Sequence, residues 1–437
     1  MDPNRRNFVK TAVTSATAAF TTQIFTGNVK GANDRISAGF IGMGKMGRDN
    51  LRWAMRQPNL VATAVCDVYD RNLKMAADIA KGQAGGPARA MLDFREMLND
   101  KSIDVVCIAT PDHWHAYMTV EACKAGKEVY VEKPVATTID LAGKMVEAAR
   151  KYNRVVQAGT MQRSAIHFQK AVDLVRSGEL GKVTFVRTWN YGHSGPQGIG
   201  DPPDSDAPAG LNWDQWLGPA PARRFNANRF GVDPEDRYFS TFRWFWDYAG
   251  GMMTDWGVHL LDIVQWAFEE AMPTSATASG GKFYLRDNRE TPDTLQVTFE
   301  YPGFLAVYEN RESNQQSMFE RDYGILFHGD RATLFVDRRE CRLISEKGST
   351  LMNWEMKNTS SGNSEHWANF LECVRTRQRP VSDIDKCRRS TSTCLLGNIA
   401  LRSGQRVDLD SKSWTVTQPE ARKYLSREYR GPWKLSV

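Results

Sequence analysis

The stretch "ISAGFIGMGKMGRDNLRWAMRQ", residues 36–57, decides the fold of the first half of the chain. Its pattern predicts a short apolar strand, a glycine turn and an amphipathic helix. Gly42, Gly44 and Gly47 form G-x-G-x-x-G, in which the first glycine permits a tight turn, the second lets the backbone approach a phosphate, and the third lets the helix pack on the strand. The helix N-terminus supplies free N–H groups to the phosphates. We therefore predict a dinucleotide cradle that also includes Met43, Lys45 and Met46.

The next apolar segment, "LVATAVCD" at residues 60–67, ends in an acid. Asp67 lies twenty residues beyond Gly47, where a carboxylate would bind the adenosine ribose hydroxyls of a dinucleotide. A carboxylate repels a ribose phosphate, so the sequence favours NAD over NADP. Arg71 lies four residues further on and could still accommodate such a phosphate.

Strand and helix patterns keep alternating as far as residue 160, which predicts a doubly wound parallel sheet, a Rossmann domain, over residues 33–158. Ligands of such sheets gather beyond the carboxyl ends of the strands. Two strand ends carry polar sequences there, and we expect their residues at the cofactor: Thr110, Pro111, His115, Glu132 and Lys133. Asp112 fits a helix cap as well as a functional group.

A second informative stretch is "WDYAGGMMTDWGVHLLD", residues 246–262. Asp255 and His259 are four apart in a segment with helical apolar periodicity, so both should share one helix face. Oxidation of an alcohol needs a base near the hydroxyl, and a histidine suits this task. Lys133 would stabilise the alkoxide, and Asp255 would orient the imidazole or bind a neighbouring hydroxyl. The alternative is a buried polar pair without catalytic use.

With these motifs in this order, residues 34 to about 405 resemble the Gfo/Idh/MocA oxidoreductase family. The resemblance implies a Rossmann domain followed by an α+β domain with a large, mostly antiparallel sheet. It also implies that Lys133 of "EKP" is the catalytic lysine, often followed by a cis proline, and that Asp255 and His259 are the family's aspartate and acid/base histidine. The segments "LNWDQWLGPAP" and "RRSTSTCLLGNIALRSG" are similar to its exported branch.

Residues 159–437 are predicted to form this substrate-binding and catalytic domain, with an aromatic-rich loop at 191–246. Aromatic rings with scattered charges suit a carbohydrate, although any single ring there is more often part of a core. Besides Lys133, Asp255 and His259, we expect the substrate wall to include Arg163, His193, Arg243 and Tyr248.

Composition excludes several other classes of protein. The net charge of +6 is spread over 437 residues without a dense basic block, which argues against nucleic-acid binding. No window is apolar enough for a membrane span. The seven cysteines include no CxxC pair, so neither a zinc site nor a disulfide framework is expected, and we predict no metal. Broad sheets of this kind commonly pair, so we expect a homo-oligomer.

The segment "NRRNFVK" at residues 4–10 precedes a weakly apolar run. It resembles a twin-arginine export signal over residues 1–32 and predicts a periplasmic protein, held at the membrane if the signal stays uncleaved. The alternative is a disordered basic tail.

Three functions fit the sequence. The first is a nicotinamide-dependent oxidoreductase that transfers hydride between NAD(P) and a secondary hydroxyl of a sugar, sugar derivative or cyclitol. The second is a redox-neutral glycoside hydrolase or lyase that keeps NAD tightly bound and uses the same Lys133, Asp255 and His259. The third is a catalytically silent sugar-binding or sensor protein, since a fold does not fix a function.

Overall fold

The computed structural model describes residues 35–83, 85–231 and 239–437. Ile36–Val437 form one compact unit. The predicted export signal at residues 1–32 lies outside the described residues. Within the described part, no helix is both long enough and apolar enough to span a membrane.

The first layer is a six-stranded parallel sheet of order β3-β2-β1-β4-β5-β6, as predicted for a Rossmann domain. Apolar side chains fill both faces of its central strands, which explains their uninterrupted hydrophobic sequences. Its strands are β1 (Ile36–Ile41), β2 (Leu60–Cys66), β3 (Arg89–Met91), β4 (Val105–Ile108), β5 (Glu128–Val131) and β6 (Val156–Ala158). Its helices are α1 (Lys45–Met55), α2 (Asp70–Ala80), α3 (Phe94–Asn99), α4 (Asp112–Lys124) and α5 (Ile139–Lys151).

The second layer is a ten-stranded sheet of order β14-β13-β12-β11-β7-β10-β9-β8-β15-β16. Its strands pair antiparallel except for β7 with β10, so the predicted large, mostly antiparallel sheet is confirmed. The strands are β7 (Val183–Tyr191), β8 (Ser275–Gly281), β9 (Thr294–Tyr301), β10 (Phe304–Arg311), β11 (Tyr323–Gly329), β12 (Ala332–Val336), β13 (Glu340–Ser345), β14 (Trp354–Lys357), β15 (Val407–Asp410) and β16 (Thr415–Val416).

Three helices cover one face of this sheet and enclose the largest apolar core with it: α6 (Ile166–Arg176), α10 (Gly257–Ala267) and α12 (Ile384–Ser403). The remaining α-helices are α7 (Trp213–Leu217), α8 (Ala227–Phe230), α9 (Gly251–Asp255), α11 (Asn363–Thr376) and α13 (Pro419–Arg422), and short 3-10 helices span Met161–Ser164 and Thr241–Trp244. Helix α11 packs on the first sheet, where Trp367 stacks on Tyr130 with ring centroids 4.4 Å apart.

The stretch around Asp255 and His259 is not the single helix that its periodicity predicts. Helix α9 ends at Asp255, and α10 begins at Gly257 after an interruption at Trp256. At Gly257 a Cβ atom would lie 2.7 Å from Met253 Cε, so the chain is pressed against its surroundings there. The two polar residues therefore lie on consecutive short helices.

The aromatic-rich segment forms a small core of its own. Trp213 and Trp216 stack with centroids 4.6 Å apart, and Phe225 and Phe230 pack against them. This cluster contacts Tyr69, just after β2. Most of the described rings in the segment are thus part of a core.

Candidate active site

One cavity, of about 370 Å³, extends from the glycine turn after β1 to the junction of α9 and α10. Its walls include the carboxyl ends of β1, β2, β4 and β5, where parallel sheets place their ligands. Of the predicted site residues, it is lined by Gly42, Gly44, Lys45, Met46, Asp67, Thr110, Pro111, His115, Glu132, Lys133, Arg243, Asp255 and His259.

The glycine turn has the geometry that its motif predicts. Gly42 has a φ of +84°, and a Cβ there would lie 2.6 Å from the backbone nitrogen of Thr110. A Cβ at Gly47 would lie 1.9 Å from the carbonyl oxygen of Gly42, so the helix packs directly on the turn. At Gly44, by contrast, a Cβ would meet nothing within 4 Å, and no side chain caps α1. Open space before uncapped N–H groups fits a pyrophosphate. Met43 and Gly47 shape this turn without lining the cavity.

Asp67 closes the same end of the cavity. Its carboxylate accepts hydrogen bonds from the backbone N–H groups of Met43 and Tyr69, at 2.6 and 2.8 Å. Burial raises the pKa of Asp67 to about 6, and these hydrogen bonds oppose the rise. The carboxylate is thus held at the wall where ribose hydroxyls would bind. Arg71, which could have accommodated a ribose phosphate, is not part of the cavity wall. These residues fit NAD.

The ends of β4 and β5 are joined through one imidazole. The ring nitrogens of His115 lie 2.8 Å from the carbonyl oxygens of Pro134 and Thr110. Burial lowers the pKa of His115 to about 4, so the ring is neutral at pH 7 and its single N–H donates to one of these two oxygens. The Lys133–Pro134 peptide bond is cis, as the resemblance implies. His115 therefore fixes the position of the segment that carries Lys133.

Lys133 and Asp255 form the ion pair at the other end of the cavity. Lys133 Nζ donates to Asp255 Oδ1 at 2.8 Å and to the Asp255 carbonyl oxygen at 3.1 Å. Arg243 Nε donates to the same Oδ1 at 3.1 Å. Burial alone would raise the pKa of Asp255, but the charges of Lys133 and Arg243 outweigh it and hold this pKa well below its usual range. Asp255 is an anion shared by two cations.

His259 is buried and lies beside this pair. Burial lowers its pKa well below 6.5, and the charges of Lys133 and Arg338 lower it further. Its Nδ1 has no hydrogen-bond partner among the described residues. The carboxylate of Asp255 binds Lys133 and Arg243 rather than the imidazole, so it does not orient the ring as expected. His259 is a neutral imidazole facing the cavity, which is the protonation state of a base.

Three of the residues expected at the substrate wall lie elsewhere. Arg163 is fully buried in ion pairs with Asp262 and Glu270, each at 2.7 Å. His193 Nδ1 lies 3.1 Å from the carbonyl oxygen of Ser313, away from the cavity. Tyr248 is buried against the ring of Trp216 in the aromatic cluster. In each case a partner distant in sequence holds the side chain, so the expectation is corrected to a structural role.

Two charged wall residues were not expected at the substrate end. Asp112 begins α4 without capping it, and burial raises its pKa to about 7. The signal was its place directly after a strand end, which fits a cap equally well. Arg338 follows β12 and reaches the cavity from the second sheet. Nothing in its local sequence distinguishes it from its neighbour Arg339. The described residues contain no group of His, Cys, Asp and Glu arranged to hold a metal.

Comparison with known proteins agrees with this geometry. A model of the NAD-binding Rossmann fold of an oxidoreductase family matches residues 36–160, and a model of the C-terminal alpha/beta domain of the same family matches residues 169–300. The solved structure of a levoglucosan dehydrogenase in complex with NADH and levoglucosan shares the fold. Its TM-score is 0.64 at 16% identity, over 86% of this chain and 99% of that one.

Two curated relatives match over shorter stretches. Inositol 2-dehydrogenase of Salmonella typhimurium is 32% identical over 164 residues, which cover 36% of this chain and 47% of the relative. A glycosyl hydrolase family 109 protein of Shewanella pealeana is 26% identical over 208 residues, 42% of this chain and 45% of the relative. This chain therefore spans less than half the length of either relative.

Proposed function

Because this chain carries both domains of the Gfo/Idh/MocA oxidoreductase family, we propose that it transfers hydride between NAD and a secondary hydroxyl of a sugar, sugar derivative or cyclitol. The match to inositol 2-dehydrogenase supports a polyhydroxylated substrate. The fold shared with levoglucosan dehydrogenase is consistent with this proposal.

The observation that carries the proposal is the continuity of the cavity. A dinucleotide cradle at Gly44 and Asp67 and a proton-handling cluster at Lys133, Asp255 and His259 line one space. Alcohol oxidation requires both, since a hydride and a proton leave the same alcohol. A buried polar pair without catalytic use would not need a wall shared with the cradle.

Bound NAD would supply the hydride acceptor. The chain's own residues handle the proton and the developing charge. Neutral His259 is positioned to accept the hydroxyl proton, and the Lys133 ammonium to stabilise the alkoxide oxygen. The 2.8 Å pair with Asp255 holds Lys133 in the cavity. In the reverse direction, the imidazole would return the proton to the carbonyl oxygen.

The test is hydride transfer in variants of this cluster. Lys133→Met and His259→Ala should lower kcat by about 10²- to 10⁴-fold, the usual contribution of positioned proton-transfer groups, while NAD still binds. Lys101→Met, at an exposed lysine in the turn before β4, is the matched control and should turn over normally. Wild-type turnover in either cluster variant would remove the proposed roles.

A redox-neutral glycosidase is the second candidate, because the family 109 relative matches 42% of this chain. Such an enzyme would keep its NAD and release an aglycone without net reduction. Protein purified without added cofactor should then contain bound nicotinamide. Isolation of cofactor-free protein that binds NAD only at millimolar concentration would exclude this candidate.

We further propose that residues 1–32 direct export to the periplasm. The support is the pattern "NRRNFVK", with Arg5 and Arg6 as the signal's arginine pair. Cell fractionation should find the wild type in the periplasm and an Arg5→Lys, Arg6→Lys double variant in the cytoplasm. Equal distribution of both proteins would contradict the proposal.

We also propose a homo-oligomer. Leu305 on β10 is an exposed apolar side chain paired with the half-buried Phe185 of β7 on the ten-stranded sheet, which is consistent with a partner covering that face. Sedimentation at micromolar concentration should give a mass above that of one chain, and a strictly monomeric species would contradict this.

A further inference from the structure

Arg338 is a cation on the substrate side of the cavity that the proposed chemistry does not use. It lies between β12 and β13, half-buried, and its guanidinium lies over the ring of Trp256 at 4.7 Å from the centroid. Trp256 in turn meets His259 edge to face, with centroids 6.2 Å apart. Arg338 thus approaches the reacting end of the cavity from the second sheet.

The guanidinium has little in the protein to pair with. Its one hydrogen bond to a described residue runs from Nε to Gln162 Oε1, at a long 3.4 Å. No carboxylate of the described residues lies within the 4.0 Å of an ion pair with it, whereas Lys133 and Arg243 both reach Asp255. A guanidinium has five N–H donors in a planar fork, so its two terminal nitrogens keep their capacity to bind an anion.

The charge at this end of the cavity is also unbalanced. Lys133, Arg243 and Arg338 contribute three cations, whereas Asp255 contributes one anion with a depressed pKa, and burial raises the pKa of the neighbouring Glu132 carboxyl. Asp112 is only partly ionised at pH 7, because burial raises its pKa to about 7. A partly buried positive surplus costs free energy unless a ligand of opposite charge enters.

We propose that the substrate carries a carboxylate, as in a uronic or aldonic acid, and that Arg338 binds it. This rests on the proposed function, since it places the carboxylate near the hydroxyl served by His259. One planar guanidinium matches one planar carboxylate through two parallel hydrogen bonds. The ring of Trp256 holds the guanidinium plane in place for this pairing. Arg338 is therefore a specificity-determining residue for sugar acids.

The experiment measures binding separately from turnover. Protein loaded with NADH, which cannot oxidise an alcohol, is titrated calorimetrically with two matched pairs of probes, galacturonate with galactose and glucuronate with glucose, and with glucose 6-phosphate. The variants are Arg338→Met, Arg338→Lys and the control Arg339→Met, whose exposed side chain lies next in sequence outside the cavity. Turnover is then followed with NAD-loaded protein.

The expected result is a sugar acid bound at least tenfold more tightly than its neutral counterpart, since a hydrogen bond to a charged group is worth about one to two powers of ten in affinity. The ratio of the affinity for the acid to the affinity for the neutral sugar should fall towards one in Arg338→Met and stay unchanged in Arg339→Met. It should be intermediate in Arg338→Lys, because an ammonium cannot pair bidentately. The lysine variant keeps the test decisive if Arg338→Met does not fold.

Equal affinity for acids and neutral sugars, a preference for the sugar phosphate, or an unchanged preference in the folded Arg338 variants would each overturn the inference. None of these binding results would contradict the proposed hydride transfer. Conversely, if sugar acids bind tightly but transfer no hydride to NAD, the carboxylate site is supported and the proposed function is refuted.

Discussion

Protonation of Asp67 should weaken NAD binding in mildly acidic solution. Burial raises the pKa of this carboxyl to about 6, so it is ionised above pH 6 and protonated below. Two of its lone-pair positions are already taken by the N–H groups of Met43 and Tyr69. A protonated oxygen becomes a donor and loses acceptor capacity for the ribose hydroxyls. NAD affinity is therefore expected to fall as the pH falls through 6.

The size of the effect follows from that pKa. At pH 7 about nine tenths of the Asp67 carboxyls are ionised, and at pH 5 about one tenth are. If only the ionised form binds ribose, the apparent Kd rises about tenfold between pH 7 and pH 5. Asp67→Asn removes a charge-assisted hydrogen bond worth about 1.5–3 kcal/mol, so its Kd at pH 7 should be about 10- to 150-fold weaker.

The assay is a fluorescence titration of the protein with NADH at half-unit steps from pH 5 to pH 8. Asp67→Asn should remove the transition near pH 6. The control is Asp70→Asn, an exposed acid three residues further on and outside the cavity wall, which should keep it. A wild-type Kd that stays constant between pH 5 and pH 7 would refute the reasoning.

Four further substitutions have defined outcomes. Gly47→Ala places a Cβ 1.9 Å from a backbone oxygen of the glycine turn, so it should lower the free energy of unfolding in urea by an overpacking cost of about 1–3 kcal/mol. At Gly44 a Cβ enters open space, so Gly44→Ala should unfold like the wild type while binding NAD more weakly. Arg163→Met leaves the buried carboxylate of Asp262 and the half-buried carboxylate of Glu270 without their cation, and should destabilise the protein by about 3–5 kcal/mol in thermal unfolding, with KM unchanged; a raised KM would restore a substrate role. Because Arg338 lowers the pKa of His259, Arg338→Met should move the acid limb of the kcat/KM profile to higher pH, and an unmoved limb would place the two groups too far apart to interact.

The first domain could be predicted because its signals are local. The glycine spacing, the acid at Asp67 and the alternation of buried strands and amphipathic helices each depend on a few neighbouring residues. Strand β3 and the following helix α3 were not predicted. The strand sequence "RAM" is three residues long and largely exposed, so it has neither a periodicity nor an apolar content that would indicate a strand.

The catalytic end was predictable in its residues but not in its contacts. Lys133, Asp255 and His259 line one cavity as expected, yet the carboxylate pairs with the cations instead of the imidazole. The break at Trp256 also replaced the single helix on which the i,i+4 argument relied. Tertiary packing decides both features, and sequence spacing does not record it.

Arg163 and Arg338 are two arginines whose roles could not be predicted from the sequence. Arg163 follows a strand end and looked available to a ligand, but its partner Asp262 is 99 positions away in the chain. Arg338 lies in an ordinary charged hairpin, and only the fold brings it to Trp256. Whether an arginine is paired is a property of the folded molecule.

The most direct test of the central claim is nicotinamide absorbance and fluorescence of purified protein, with and without added NAD, during incubation with free sugars, sugar acids and cyclitols. Reduced nicotinamide should form with at least one of these substrates, and Lys133→Met and His259→Ala should strongly slow its formation while still binding NAD. Binding of NAD without its reduction by any of these substrates would contradict the proposed function.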